Sequence, residues 1–384
     1  MSKGVMKTST RAAWILLSLG LLSGGAQAQS GVTAGEITIG MCNVLTGPAA
    51  ALGTGVKKGS TVYFDKVNRS GGVYGRTIRL VSYDDGYEPK NTVAQTRKLL
   101  GEDKVFALFG YVGTPTSSAI MPILAEAKAP FWGPFTGAEF LRNPVNKYIF
   151  NVRSSYFDEA ETQIQYLTEK RGIKKVGVFY QNDAYGLAVK GGVLKALKKR
   201  GLEIAGEGTY ERNTEDVATA VAALKRANPE AVSMVGTYKA MAAFIKQAKA
   251  EGFNPVFLNV SFVGTAALAK ELGAAGDGVL ITQVMPSPND ASVPIVAQYR
   301  SDMKAAGHNE LDYTDLEGYV DAAIFVEALR KAGPNLTREA FLTAAESLDT
   351  SIGGLAARFS PTEHQALHKT YMTTISRGQV EIVK

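Results

Sequence analysis

Val105-Phe-Ala-Leu-Phe109-Gly110-Tyr-Val-Gly113-Thr114-Pro115-Thr-Ser-Ser118 is the stretch on which the fold turns. Its first five residues are apolar with no polar alternation, as a strand covered on both faces should be. Small and polar residues follow, and Pro115 suits the first turn of a helix, where a missing N–H costs nothing. The second half of the chain repeats the device: Ala231-Val-Ser-Met-Val235 runs into Gly236-Thr-Tyr238 ahead of a helical segment. A buried strand, a glycine turn and a helix, met twice, predict an α/β protein of βαβ units with parallel sheets. Two such units in one chain suggest two lobes facing each other.

Outward from this stretch the alternation holds almost throughout. Glu36–Cys42 and Thr77–Tyr83 read as strands, and Val56–Val67 and Pro89–Leu100 as helices. A helix over Pro115–Lys128 follows, then extended chain at Pro130–Trp132 and Tyr148–Val152. The second unit reads as helix Glu159–Lys170, strand Lys175–Tyr180, helix Gly186–Arg200 and strand Leu202–Tyr210. A helix over Thr214–Ala227 comes next, with Asn213 or Thr214 as its cap, then strand Ala231–Val235 and a helix to Lys249. Helices over Val293–Ala305, Tyr313–Lys331 and Thr337–Ser347 precede two β segments, Tyr371–Ile375 and Gln379–Val383.

Of 384 residues, 45% are hydrophobic and 20% charged, a globular balance that excludes a disordered chain and a multi-span membrane protein. The length predicts two domains. Lys3, Lys7 and Arg11 precede the apolar run Ala12–Leu22, and the small-residue site Ala26-Gln27-Ala28 follows. That order predicts a secretory signal peptide over 1–28, with the mature chain starting near Gln29. Its removal lowers the net charge from +6 to +3, so the pI of 9.1 overstates the basicity and nothing points to nucleic acid. Cys42 is the single cysteine; it excludes an internal disulfide and, inside an apolar run, reads as a buried inert thiol.

Motifs for chemistry are few. Gly53-Thr-Gly55-Val-Lys-Lys-Gly59 has the wrong spacing for a dinucleotide loop. His364 and His368, in a segment with Pro361, read as a surface pair rather than a metal site. Asp84, Asp85 and Glu88, between a strand and a helix, read as caps for helix N–H groups. The informative segments are two polar loops after strands, Gly110–Ser118 and Gly133–Ala138, because ligands of open α/β sheets sit at the carboxyl ends of strands.

Leu45-Thr-Gly-Pro-Ala-Ala-Ala-Leu-Gly53, Asn68-Arg-Ser-Gly-Gly-Val-Tyr-Gly-Arg76, Asp84-Asp-Gly-Tyr-Glu-Pro89 and Gln181-Asn-Asp-Ala-Tyr-Gly186 occur in that order. The set resembles the type I periplasmic substrate-binding proteins of branched-chain amino-acid ABC transporters, and the similarity runs over essentially the whole mature chain. The resemblance implies two Rossmann-like lobes joined by a three-strand hinge. The N-terminal lobe would take 29–152 plus about 284–350, and the C-terminal lobe 153–283 plus about 351–384. It further implies a monomeric periplasmic protein without metal or cofactor, delivering an amino acid or related small carboxylate to ABC permease subunits. By the same resemblance Gly113 and Thr114 would grip a carboxylate, with Pro134, Phe135 and Thr136 as the second loop and Tyr185 and Tyr238 as aromatics of the second lobe. Leu52 and Ser261 depart from the family pattern, standing where an aromatic and an ammonium-binding acid are expected, so an aromatic or aliphatic carboxylic acid is the alternative ligand. Asp183 and Asp158 are the acids that could restore an ammonium site. A ligand sensor for a membrane receptor is the other open reading; for an exported enzyme the acid/base pair is missing.

Overall fold

The computed structural model describes residues 1–4 and 30–383, so the signal-peptide reading falls almost wholly outside the described residues. The first sheet is built from β1 (Glu36–Asn43), β2 (Thr77–Asp84), β3 (Leu108–Phe109), β4 (Phe131–Trp132) and β5 (Ile149–Phe150). All its pairings are parallel, in the order β2-β1-β3-β4-β5. The helices between them are α1 (Ala50–Arg69), α2 (Pro89–Gly101), α3 (Thr114–Ala119) and α4 (Met121–Ala127). The expected single helix over 115–128 is two, because Pro122 removes an N–H and the chain breaks at Ile120. Only the last two residues of Val105–Phe109 form regular strand, although Phe106 and Ala107 still bond to the backbone of β1.

After α5 (Tyr156–Gln165), the second unit runs β6 (Val176–Gln181), α6 (Ala184–Lys198), β7 (Ile204–Tyr210), α7 (Ala218–Ala227), β8 (Ala231–Val235), α8 (Tyr238–Ala250), β9 (Val256–Asn259), α9 (Thr265–Leu272) and β10 (Leu280–Gln283). The patterns of β9, α9 and β10 escaped the sequence reading, since each is short and without clear periodicity. Helix α7 starts four residues later than expected. Asn213 does not cap it: at φ +61 its side chain is drawn into a tertiary contact, described below.

The chain then returns to the first sheet as α10 (Pro294–Ala305), α11 (Tyr313–Ala332) and α12 (Arg338–Glu346), followed by a hairpin of β11 (Asp349–Ile352) and β12 (Leu355–Arg358). It ends in β13 (Tyr371–Ser376) and β14 (Gln379–Ile382), antiparallel additions that give the second sheet the order β14-β13-β10-β9-β8-β6-β7. Phe325 of α11 meets Phe64, Phe109, Trp132 and Phe341 edge-on or tilted, with centroids 5.2–6.3 Å apart. Truncating such a buried ring to Ala costs about 3–5 kcal/mol. Helices α1 and α11 lie so close that a Cβ at Gly59 would collide with the Asp315 carbonyl, and one at Gly318 with the Val56 carbonyl. The glycines of the 53–59 run thus serve packing, Gly53 against the Val44 carbonyl and Gly59 against α11.

The carboxyl ends of the parallel strands meet across the two halves, Gln181 Nε2 with the Tyr87 phenol at 3.4 Å and Phe262 with Phe135 at 5.4 Å between centroids. Three segments connect the halves: Val152–Ser155, 284–293 and 367–370. The first and third run side by side, through Ala366 N–H to the Asn151 carbonyl and Leu367 N–H to the Val152 carbonyl, both at 2.9 Å.

Candidate functional site

On the first-sheet side, the turns after β3 and β4 bring Gly113, Thr114, Pro134, Phe135 and Thr136 together, all buried. Gly113 has φ +111, and a Cβ there would strike the Tyr87 ring, so glycine is required. Its N–H is committed to the Phe135 carbonyl at 3.2 Å, which corrects the expectation that it faces a ligand. The Thr114 and Thr136 hydroxyls meet at 2.7 Å, and the Tyr156 phenol lies beside both. Leu52 lies in the first turn of α1 against Gly264.

On the second-sheet side, Tyr185 follows β6, Tyr238 follows β8 and Ser261 follows β9. Tyr238 lies against Gly264 opposite Leu52. The residue that joins the two sides was not singled out in the sequence. Phe262 stands with its centroid 4.5 Å from Tyr185, 5.4 Å from Phe135 and 6.2 Å from Tyr87. Tyr156, also missed, is 5.5 Å from Tyr185. Among the described residues the Ser117, Tyr156 and Tyr185 hydroxyls are buried without a hydrogen-bond partner. Burial pushes the Tyr156 phenol up to about 12 and Tyr185 well above its ordinary value, so both stay protonated and act as donors.

The floor between the halves is ionic. Arg153, 1% exposed, lies on the first connecting segment with its guanidinium 4.7 Å from the Phe135 ring centre. It reaches Glu159 at 3.5 Å, Glu317 at 3.4 Å and the Ser261 hydroxyl. Burial alone would lower the Arg153 pKa, but the Glu317 and Glu159 charges hold it above the ordinary arginine value. Burial also raises Glu159, pushes Glu317 up to about 7 and raises Asp321 strongly. Glu159 accepts Ser261 N–H at 2.7 Å, Ser261 Oγ at 2.9 Å and Thr282 Oγ1 at 2.7 Å. Ser261 is therefore backed by an acid from α5.

At the rim, Arg212 bridges Asp183 at 2.8 Å and Glu88 at 3.1 Å, and Asn213 Nδ2 donates to Glu88 at 2.7 Å and to the Gly86 carbonyl at 3.1 Å. Glu88 thus does not cap α2; it ties the two halves together. Asp84 and Asp85 do serve the local turn, through Gly86 N–H and Tyr87 N–H. Asp183 and Asp158 prove to be occupied: Asp183 by Arg212, Gln181 and Tyr185 N–H, Asp158 by Ser155 and Gln365. His364 is buried against Phe150, centroids 4.2 Å apart, which corrects the surface reading. Cys42 is buried, 3.6 Å from Asp85, and its thiol is pushed up by burial.

Residues 36–379 match the profile of the family described as periplasmic binding protein. A curated relative is the leucine-, isoleucine-, valine-, threonine- and alanine-binding protein of Pseudomonas aeruginosa, 24% identical over 84% of this chain and 86% of that one. Among solved structures, a possible leucine/isoleucine/valine-binding protein from Rhodopirellula baltica is 35% identical, over 91% of this chain and 97% of that one, with a TM-score of 0.88. A fatty acid ABC transporter substrate-binding protein from Thermomonospora curvata is 27% identical, over 94% and 95%, with a TM-score of 0.83. With the profile covering nearly all of the described chain, and with two α/β halves each built on parallel strands, this chain belongs to the type I periplasmic binding proteins.

Proposed function

We propose that this chain is exported to the periplasm, captures an amino acid or related small carboxylate between its halves, and delivers it to the permease subunits of an inner-membrane ABC importer. One observation carries the reading: the hydroxyls of Thr114, Thr136 and Tyr156, the last without a hydrogen-bond partner, gather where the two halves meet, with the Tyr185 ring 5.5 Å from Tyr156. Buried, protonated hydroxyl donors suit a carboxylate. The names of the Pseudomonas and Thermomonospora relatives support a carboxylate cargo and, for the second, an ABC transporter. The geometry suits binding rather than turnover, and the chain is read as acting alone.

The two bodies that close on the ligand would be residues 30–152 with 293–367, and 156–283 with 371–383. A third crossing later than residue 351 is supported by Phe359, which packs on Trp132 and Phe150, 5.4 and 5.3 Å between centroids. Hinge closure then presents one surface made from both lobes to the permease.

The test joins identification to transport. Ligand released from the purified mature chain is identified by mass spectrometry, and its uptake is measured in cells with and without the gene. Lost uptake supports the reading. Intact uptake with a lost signalling response would favour a receptor sensor instead.

A further inference from the structure

The cleft contains acids, yet none is positioned to hold an ammonium. A carboxylate has roughly four lone-pair sites. On Glu159 these are taken by Ser261 N–H, Ser261 Oγ, Thr282 Oγ1 and the Arg153 guanidinium. Asp183 is committed to three donors, and Asp158, held through Oδ2 by Ser155 and Gln365, lies with His364 and His368 away from the hydroxyl pair. Glu317 lies 3.4 Å from the Arg153 guanidinium, so its charge is already matched by a cation that would repel an ammonium. Asp321 Oδ1 has no partner, but it belongs to α11 behind Gly133, where burial strongly favours its neutral form. A buried ammonium without an anionic partner is expensive, so an α-amino acid would lose in this cleft what it gains at its carboxylate.

The rest of the wall is aromatic. Phe262 reaches between the halves and meets Phe135 and Tyr87 on one side and Tyr185 on the other. Tyr156 extends the wall next to the Thr114–Thr136 hydroxyl pair. Donors for one carboxylate thus lie at the end of a set of ring faces, where offset and edge-on packing of a further ring is favourable.

We propose that the ligand is a small aromatic monocarboxylate with no α-ammonium, its carboxylate on the Thr114/Thr136/Tyr156 hydroxyls and its ring against Phe262. This deepens the proposed capture of a small carboxylate and rests on it. Phe262 sets the preference for a ring, and Glu159, held by Ser261, Thr282 and Arg153, excludes the zwitterion.

The experiment is calorimetry on the full mature chain with matched probes: phenylacetate against L-phenylalanine, and 4-methylpentanoate against L-leucine, each repeated on Thr136→Ala and Phe262→Leu. Phenylacetate should bind at least 30-fold tighter than L-phenylalanine and at least tenfold tighter than 4-methylpentanoate. Phe262→Leu should erase most of the latter margin while 4-methylpentanoate affinity holds within threefold. If L-leucine or L-phenylalanine binds as tightly as its acid and Thr136→Ala weakens it, capture of a carboxylate stands and the aromatic-acid assignment is overturned. If 4-methylpentanoate equals phenylacetate, the role of Phe262 is overturned. Binding of none of the four would overturn both the assignment and the capture reading on which it rests.

Discussion

Two arginines tie the halves of this molecule together, and they do so under opposite conditions. Arg153, on the floor, is sealed from water among Glu159, Glu317 and Ser261. Arg212, at the rim, holds Glu88 and Asp183 with its side chain 22% exposed. Both make two acid contacts, yet the physics assigns them different work. Taking a guanidinium out of water costs several kcal/mol, repaid only while its acids remain in place, so the floor tolerates little change. The rim pair is part-buried, closer to water and salt than the floor, and is worth less, which suits a contact that must form and break.

Breaking the floor should show this most clearly. Arg153→Met leaves Glu159 and Glu317 buried without their cation, and unfolding by urea should show a loss of about 3–5 kcal/mol. A loss below about 1 kcal/mol would remove the distinction between floor and rim. The double variant Arg153→Met/Glu317→Gln should recover part of the loss, because one of the two stranded acids is gone.

The floor also has a pH signature. Glu317 ordinarily titrates near 4.5 and is pushed up to about 7 in the folded protein by burial, against the pull of Arg153. Between those values the folded state holds a proton that the unfolded state has released. Stability from this group therefore falls as pH rises from about 4.5 to 7 and is level above, by up to ~3 kcal/mol. Urea titrations of wild type and Glu317→Gln across that window should diverge, the variant being the flatter.

Between floor and rim lies the hydroxyl pair. Thr136→Ala removes one donor from a bound carboxylate, and calorimetry should show binding weaker by about 1.5–3 kcal/mol. Unchanged affinity would place the carboxylate elsewhere in the cleft.

How much of this was legible in the sequence follows from distance along the chain. The strand, glycine turn and helix after Val105 and after Ala231 are local; the second formed where expected, and the first kept its order although its strand is shorter and its helix is broken at Ile120. So did the turns carrying Thr114, Thr136 and Tyr185, because strand ends are local features as well. What escaped was made by pairs far apart: Arg153 with Ser261, 108 residues on, and Glu88 with Arg212, 124 residues on. Glu88 looked like a helix cap and Asn213 looked like another, each a sound local reading overridden by the other lobe. Arg153 did leave a trace, a charge placed directly after the buried run Ile149-Phe-Asn-Val152. Phe262 left none, since one more apolar residue in an apolar stretch carries no signal until its partners are known.

The rim should give the smallest effect and the most selective one. Arg212 touches Glu88 and Asp183 and lies 5.9 Å from the Tyr87 ring centre, so Arg212→Ala removes a bond between the halves without taking a donor from the hydroxyl pair. Urea unfolding should move little, since exposed pairs contribute about 0–1 kcal/mol. Ligand affinity should fall about two- to fivefold, mainly through faster release, because the form in which the halves touch loses a contact between them. Salt separates this from damage to the cleft. At 1 M the Debye length is about 3 Å and the wild-type rim is itself screened, so the difference between wild type and variant should shrink towards none. A defect that persists undiminished at high salt would mean that Arg212 supports the cleft by packing on Tyr87, and that the rim belongs with the floor.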